Sequence, residues 1–204
     1  KKDKIIILLF RPVTGDMHFV NDIVSKVRLV EFNKHKGFDF LFQLKLFWFL
    51  LKESPGIVHA HLSAINYLFF PIVLLFRTNF FHTIHTLAYK EERRKFFISL
   101  RRIYYRLDLI IPVSITKLTK NTFIDLYGLD KTYIINNGIS KLKLSNNHED
   151  INKEINKLKY NDDTVVFITI GRLSHTKNFT MLVDAFSKLE DYNIILIIIG
   201  ADTT

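Results

Sequence analysis

The sequence contains no cysteine, four prolines and seven glycines among 204 residues. The absence of cysteine excludes disulfide bonds, thiolate metal sites and a cysteine nucleophile, and it fits a reducing cytosol. Long apolar runs are also lacking, because Phe38–Leu51 and Leu62–Phe76 are both interrupted by polar residues or proline. A helix that spans a bilayer needs roughly 17–25 mostly apolar residues. The sequence therefore predicts a cytoplasmic protein, either soluble or peripheral on the inner face of the cytoplasmic membrane.

Hydrophobic residues make up 48% of the chain and aromatic residues 14%, which is enough to bury a core and excludes a disordered protein. Lysine and arginine outnumber the acidic residues by 29 to 20, so the net charge is +9. Such a charge suits nucleic acid, anionic lipid or phosphorylated small molecules. Because the chain carries no recognised nucleic-acid-binding motif, we predict that nucleic acid is not a partner.

Short apolar runs alternate with longer amphipathic segments along the chain, as strands alternate with helices in βαβ units. The predicted strands are Ile5–Phe10, Arg28–Phe32, Ile57–Ala60, Phe80–Ile84, Leu109–Val113, Tyr133–Ile135, Val165–Ile170 and Ile194–Ile199. The predicted helices are Met17–Val27, Asp39–Lys52, Ser63–Phe76, Glu91–Arg106, Thr116–Tyr127, Ile151–Tyr160 and Asn178–Leu189. Most strands are continuous apolar runs, which indicates parallel strands covered on both faces. The pattern predicts an α/β fold with a Rossmann-like, doubly wound parallel sheet.

A polar segment, Ser145–Asp150, separates this pattern from a new strand–helix–strand set that runs from Val165 to Ile199. We interpret the segment as a domain junction. The predicted domains are residues 1–150, a Rossmann-like domain, and residues 151–204, a linker with the start of a second Rossmann-like domain. A complete second domain usually needs roughly 100–200 residues, so the second domain is expected to be incomplete.

The turn Gly171–Asn178 joins a predicted buried strand to a predicted helix and carries the strongest chemical signal. A helix N-terminus attracts anions through its free N–H groups and its dipole. Arg172 and Lys177 add a guanidinium and an ammonium group, which suits a diphosphate. A solvated basic loop without a ligand is the alternative interpretation of this turn.

The sequence Gly171-Arg172-Leu173-Ser174, followed by Lys177-Asn178, resembles the G-R-L-S-x-x-K-[GN] signature of group 1 (family 4) glycosyltransferases, which have the two-domain GT-B fold. Four earlier segments resemble other motifs of this family in the family's order. They are Ile57–Leu62 (V-H-A-H), Thr83–Thr86 (T-x-H), Asp108–Ser114 (D-x-[IV]-x-x-V-S) and Ile134–Ile139 ([VI]-I-x-N-G-[IV]). Five ordered matches between residues 57 and 200 are far more specific than any one of them.

The resemblance implies a retaining glycosyltransferase that moves a sugar of hexosyl type from a nucleoside-diphosphate donor to a saccharide or lipid-linked acceptor. It implies no metal or other cofactor, a role in bacterial surface polysaccharide synthesis such as capsule or lipopolysaccharide, and an acceptor-side domain followed by a donor-binding domain. The implied site residues are His85 as the catalytic residue, Gly15, Arg172 and Lys177 for the donor, and His18 and His61 for the acceptor or the cleft.

The resemblance is weaker at two places. The family usually has a Gly-Gly loop after the first strand, whereas this chain offers only Gly15, and an ordinary βα turn is the alternative there. Family members also carry an E-x7-E element later in the second domain, which holds the donor's sugar and ribose, and residues 1–204 do not include it. These residues alone are therefore expected to be inactive or nearly so.

Three alternatives stay open at this point. His59 and His61 lie two residues apart on a predicted strand, so both point to one face, as ligands of a zinc hydrolase would; we prefer a structural role for His59. Residues 90–106 hold seven basic and two acidic residues and form either a packed amphipathic helix or a membrane contact. A non-catalytic module, truncated or docked on a membrane, is the third alternative.

Overall fold

The computed structural model describes residues 5–12, 27–35, 37, 39–75, 77–139, 147–189 and 192–200. The chain forms two compact units, residues 1–138 and residues 139–204, which we call the first and the second unit. The domain boundary after residue 150 stays a prediction. No described helix is long and apolar enough to cross a membrane.

In the first unit, strands and helices alternate along the chain. They are β1 (Ile6–Leu9), β2 (Arg28–Glu31), α1 (Phe40–Glu53), β3 (Ile57–His61), a 3₁₀ helix (Leu62–Tyr67), α2 (Phe70–Leu75), β4 (Asn79–Ile84), α3 (Ala88–Glu91), α4 (Lys95–Arg106), β5 (Ile111–Ser114), α5 (Lys117–Tyr127) and β6 (Tyr133–Ile134). The second unit contains α6 (His148–Leu158), β7 (Val165–Ile170), a 3₁₀ helix (His175–Lys177), α7 (Phe179–Phe186) and β8 (Ile194–Ile199).

All described strand pairs are parallel, as the continuous apolar runs predict. In the first unit β1 pairs with β2, and β3, β4, β5 and β6 form a second sheet in that order. In the second unit β7 pairs with β8. Because successive strands of the four-stranded sheet are neighbours and parallel, their carboxyl ends meet at one edge, where open α/β sheets bind ligands.

Local signals in the sequence explain where the helices begin and end. The Asp39 carboxylate accepts the Phe42 N–H at 3.0 Å and caps α1, and the Thr116 hydroxyl accepts the Thr119 N–H at 3.1 Å and caps α5. Gly128 ends α5 in the left-handed conformation, with φ 67°, which glycine adopts without strain.

Two predicted helices differ most from the structure, while those predicted over Ile151–Tyr160 and Asn178–Leu189 differ from it by at most three residues at either end. The helix predicted over Ser63–Phe76 is divided into a 3₁₀ helix and α2, because the Pro71 ring would clash with the carbonyl four residues earlier in one continuous helix. The helix predicted over Glu91–Arg106 begins only at Lys95, because Glu92 has an extended backbone and its side chain accepts the N–H groups of Arg93 and Arg94. The helix predicted over Met17–Val27 lies outside the described residues, except for its last position.

The core of the first unit is rich in aromatic side chains that meet edge to face or at an angle. Tyr105, Phe123 and Tyr127 are essentially unexposed and pack on one another with ring centroids 4.9–5.2 Å apart. In the second unit, by contrast, none of the described apolar side chains is buried, and β7 leaves Ile170 three-quarters exposed.

Candidate functional site

Three histidines lie together at the carboxyl ends of β3 and β4. His59 and His61 point to the same face of β3, with ring centroids 4.4 Å apart, as their spacing predicts. His85 follows directly after β4, and its Nε2 lies 2.8 Å from Nδ1 of His61. The parallel register places His61 beside Thr83, which lies two residues before His85. The two histidines therefore come close together where the neighbouring strands end. Two residues that the sequence assigns to the site separately are therefore joined by a hydrogen bond.

One ring of the His61–His85 pair must donate the proton of this bond, and the other must accept it. Partial burial, together with the neighbouring histidines, lowers the pKa of His61, which favours the neutral imidazole. Partial burial likewise lowers the pKa of His59, whose Nε2 lies 2.7 Å from the Thr83 hydroxyl. His59 and His61 thus favour the uncharged form, in which each ring can donate one hydrogen bond and accept another at the edge of the sheet.

A buried polar network lies next to this edge and was not predicted from the sequence. His82 is fully buried; its Nδ1 lies 2.8 Å from the Tyr105 hydroxyl, and its Nε2 lies 2.9 Å from the Leu62 carbonyl oxygen and 3.1 Å from Glu91 Oε1. Burial lowers the pKa of His82 and outweighs the opposite effect of Glu91. We infer a neutral ring in which Nε2 donates and Nδ1 accepts from Tyr105.

Arg101 connects the network to the segment that follows His85. Its guanidinium is 2% exposed and donates to Glu91 Oε1 and to the Asn66 side chain, both at 2.9 Å. Asn66 in turn donates to Glu92, which also accepts two hydrogen bonds from the Arg94 guanidinium. These contacts fix the backbone between β4 and α4, and hence the segment that begins with His85.

This network makes the first unit sensitive to acid. Hydrogen bonds from Arg94 and Asn66 overcome the effect of burial and lower the pKa of Glu92 from 4.5 to about 2, and the pKa of His82 is lowered from 6.5. The unfolded chain therefore binds more protons, and stability must fall as the pH falls. We expect the free energy of unfolding to decrease first below pH 6.5, through His82, and again between 4.5 and about 2, through Glu92.

Urea unfolding followed by circular dichroism over this pH range measures the effect. In a Glu92→Gln variant the loss at lower pH should become smaller, because the substituted side chain cannot titrate. A free energy of unfolding that stays constant from neutral pH to about pH 3 would contradict the assignment.

The turn between β7 and α7 has the strand–turn–helix geometry that the sequence predicts. Asn178 adopts a left-handed conformation with φ 48° and makes no side-chain cap to α7. The N–H groups in the first turn of α7 are thus left without a side-chain cap. Arg172 and Lys177 are exposed, and within the described part of the chain neither forms an ion pair or a side-chain hydrogen bond.

Two glycines allow the backbone of this turn to pack closely. A Cβ at Gly171 would lie 3.3 Å from the Phe179 ring and 3.6 Å from Cε of Lys177, so the Lys177 stem lies over this glycine. A Cβ at Gly200, after β8, would overlap the Gly171 carbonyl oxygen. Since that oxygen belongs to the backbone, a side chain at residue 200 would displace the turn.

An open pocket of about 480 Å³ lies at the turn and at the N-terminus of α7, but neither Arg172 nor Lys177 lines it. Its lining consists of Leu173, Ser174, His175, Asn178, Phe179 and Thr180. The volume is in the range of small-molecule sites, and the lining combines hydroxyl, amide and imidazole groups with free backbone N–H groups. The pocket can therefore receive an anionic group.

Two of the predicted site residues, Gly15 and His18, lie outside the described residues. The described residues contain no group of three side chains suited to a metal ion. In residues 90–106, Arg101 is buried and Arg94 is paired with Glu92, so the basic face is smaller than the sequence suggests. Phe96, and Leu107 directly after this segment, are more than half exposed.

Comparison with known families gives two matches in order along the chain. The model described as Glycosyltransferase Family 4 matches residues 7–141, and the model described as Glycosyl transferases group 1 matches residues 150–204. The first match alone covers about two-thirds of the chain. No curated protein sequence matches the chain.

Solved structures with the same fold include two that span nearly all of this chain. The Anabaena protein Alr3699/HepE, solved in complex with UDP and glucose, has a TM-score of 0.68 at 20% identity, over 97% of this chain and 54% of its own. A glycosyltransferase from Rickettsia africae has a TM-score of 0.71 at 18% identity, over 96% of this chain and 52% of its own. The chain thus spans about half the length of both proteins, and the likeness confirms the predicted Rossmann-like α/β fold.

Proposed function

Because the chain belongs to Glycosyltransferase Family 4, with a following segment of the Glycosyl transferases group 1 family, we propose that it acts in sugar transfer from a nucleoside-diphosphate donor. The predicted membership of the group 1 (family 4) glycosyltransferases with the GT-B fold is confirmed by the family matches and the solved structures. The reaction proposed is transfer of a hexosyl group with retention of configuration to a saccharide or lipid-linked acceptor.

The observation that carries this proposal is the uncapped N-terminus of α7 with Arg172 and Lys177 exposed in the turn before it. When the bond between the sugar and the diphosphate breaks, negative charge develops on the leaving diphosphate. Free N–H groups, a guanidinium and an ammonium group stabilise such charge without a metal ion. Arg172 and Lys177 are therefore the proposed donor-binding residues of the second unit.

The first unit would supply the group that contacts the transferred sugar. His85 is the proposed catalytic residue, because it lies at the carboxyl end of β4 and its ring is oriented by His61. His61, together with His18, is assigned to the acceptor or the cleft, and Gly15 to the donor phosphates. The proposed setting is the cytoplasm, in bacterial surface polysaccharide synthesis, with residues 90–106 as an additional contact to the membrane surface.

Binding of nucleoside diphosphates tests the donor site directly. We expect UDP, or another nucleoside diphosphate, to bind the longest natural chain that contains these residues, as measured by calorimetry without added metal. Arg172→Ala should weaken binding about tenfold to a hundredfold, because a charge-assisted hydrogen bond contributes about 1.5–3 kcal/mol.

Lys188→Ala serves as the matched control, since it removes a basic residue of the second unit outside the turn. If no nucleoside diphosphate binds, or if Arg172→Ala and Lys188→Ala bind equally well, the donor-site assignment fails. Binding without transfer or donor hydrolysis would instead favour a non-catalytic module.

A further inference from the structure

Helix α1 carries apolar side chains on two opposite faces. One face is buried in the core of the first unit through Phe42, Leu46 and Leu50. The other face is exposed, with Leu41 at 75%, Leu44 at 43%, Trp48 at 66% and Leu51 at 42%. A helix on the surface of a globular protein ordinarily turns polar residues outward, and the core formed by the described residues of the first unit does not account for the apolar outward face of α1.

The outward residues form one continuous stripe. They follow one another at intervals of three, four and three residues, which places them side by side along a helix. Lys52 is exposed on the same side, four residues after Trp48. The Lys45 ammonium group instead lies 4.5 Å from the centre of the Phe32 ring and 3.5 Å from the Phe32 carbonyl oxygen. The only acidic residue of α1 is Glu53, at the end of the helix, and it pairs with Arg28 at 2.7 Å. The outward face is thus apolar and cationic, without a carboxylate.

Size and charge argue against a second copy of the chain as the partner. A helix of 14 residues is about 21 Å long, and a stripe about 10 Å wide offers roughly 200 Å². A stable protein–protein interface buries about 800 Å² on each partner. In a symmetric dimer the same face of both copies forms the interface, so the lysine of one copy would repel the lysine of the other.

Neither the small area nor the positive charge of this surface argues against an anionic bilayer as the partner. Apolar side chains that enter the boundary between headgroups and acyl chains need no matching protein surface, and flanking lysines pair with lipid phosphates. Tryptophan favours this boundary, because its ring is apolar while its N–H can donate to water or a headgroup. The net charge of +9 favours the same partner.

We propose that the outward face of α1, formed by Leu41, Leu44, Trp48 and Leu51 with Lys52, docks on an anionic lipid bilayer with the helix parallel to its surface. This surface is distinct from residues 90–106, and its role requires no sugar chemistry. It extends the proposed function by stating which face of the first unit meets the membrane.

The single tryptophan of the chain lies in the proposed surface, so its fluorescence reports on this surface alone. The 204-residue protein is mixed with vesicles of phosphatidylcholine, with or without phosphatidylglycerol, and with lipids brominated along the acyl chain. We expect a blue shift of the Trp48 emission and quenching by brominated lipid, both stronger with phosphatidylglycerol. Co-flotation with the vesicles measures binding independently.

Substitutions test whether the vesicles bind to this surface and not to another part of the protein. Leu41→Ser combined with Leu44→Ser should weaken binding about tenfold or more, because each loses apolar groups worth about 0.8 kcal/mol per buried CH₂. Leu118→Ser, at a leucine of α5 that is 63% exposed, is the matched control and should bind normally. Lys52→Gln should reduce the preference for phosphatidylglycerol.

Three results would overturn the proposal. Emission that shifts with protein concentration in the absence of vesicles would indicate a second copy on this face. Emission that is already blue-shifted, independent of concentration and shielded from iodide would indicate that other parts of the polypeptide cover it. Flotation without quenching of Trp48 would place the membrane contact elsewhere, for example at residues 90–106.

Discussion

Replacement of His85 by alanine is expected to lower kcat for sugar transfer about 10²–10³-fold, because this is the typical cost of removing one preorganised hydrogen-bond donor at a reacting group. The value of kcat/KM should fall by a similar factor, since the interaction is proposed to be strongest in the transition state. Release of the nucleoside diphosphate by the longest natural chain that contains these residues provides the assay. His148→Ala, at an exposed histidine of α6, should retain full activity.

Substitutions of His61 test whether the hydrogen bond to His85 matters. His61→Ala removes the partner of His85 Nε2 and should lower kcat less than His85→Ala does, with a changed pH profile. His61→Asn places an amide near the position of Nδ1 and should recover most of the loss. If His85→Ala leaves kcat unchanged, His85 is not the catalytic residue; if only the His61 variants are without effect, His85 acts without positioning by His61.

Replacement of Arg101 by methionine is expected to lower the free energy of unfolding of the first unit by about 3–5 kcal/mol, the typical cost of removing one partner of a buried ion pair. Glu91 would remain buried beside a neutral histidine and without its cation. Urea denaturation at neutral pH measures the change. Arg106→Met, at an exposed position of the same helix, is the control and should change stability by less than about 1 kcal/mol.

A double variant distinguishes the lost pair from lost packing. Glu91→Gln combined with Arg101→Met removes the uncompensated charge, and should be more stable than Arg101→Met alone, in the manner of a double-mutant cycle. Equal losses for Arg101→Met and Arg106→Met would show that Arg101 is not part of a stabilising network.

Much of the fold could be predicted because the signals are local. The strands β7 and β8 agree with the prediction at both ends, since each is an uninterrupted apolar run that stops at Gly171 or Gly200. Asp39 and Thr116 likewise precede α1 and α5 as side-chain caps. Such features depend only on residues within a few positions of one another.

The buried network could not be predicted, because its members are brought together by tertiary structure. Arg101 and Arg102 look alike in the sequence, yet Arg101 is buried because Asn66, from 35 residues earlier, and Glu91 satisfy its guanidinium. The contact between His61 and His85 depends on the register between β3 and β4, which cannot be derived from the sequence. The division of the helix predicted over Ser63–Phe76 could have been foreseen from Pro71.

The two apolar strands of the second unit, of which β7 is mostly exposed and β8 is half-buried, affect how concentrated solutions of the 204-residue chain behave. Val165–Ile170 and Ile194–Ile199 carry no charge and no proline, and each has a backbone edge unpaired among the described residues. Short uncharged segments of high β-propensity with a free edge act as templates for cross-β aggregation. Precipitation on storage should therefore begin in the second unit. A lysine on the face of β7 opposite to Phe167, which packs on Phe186, should delay it; Ile168→Lys, at a position that is 49% exposed, is such a substitution.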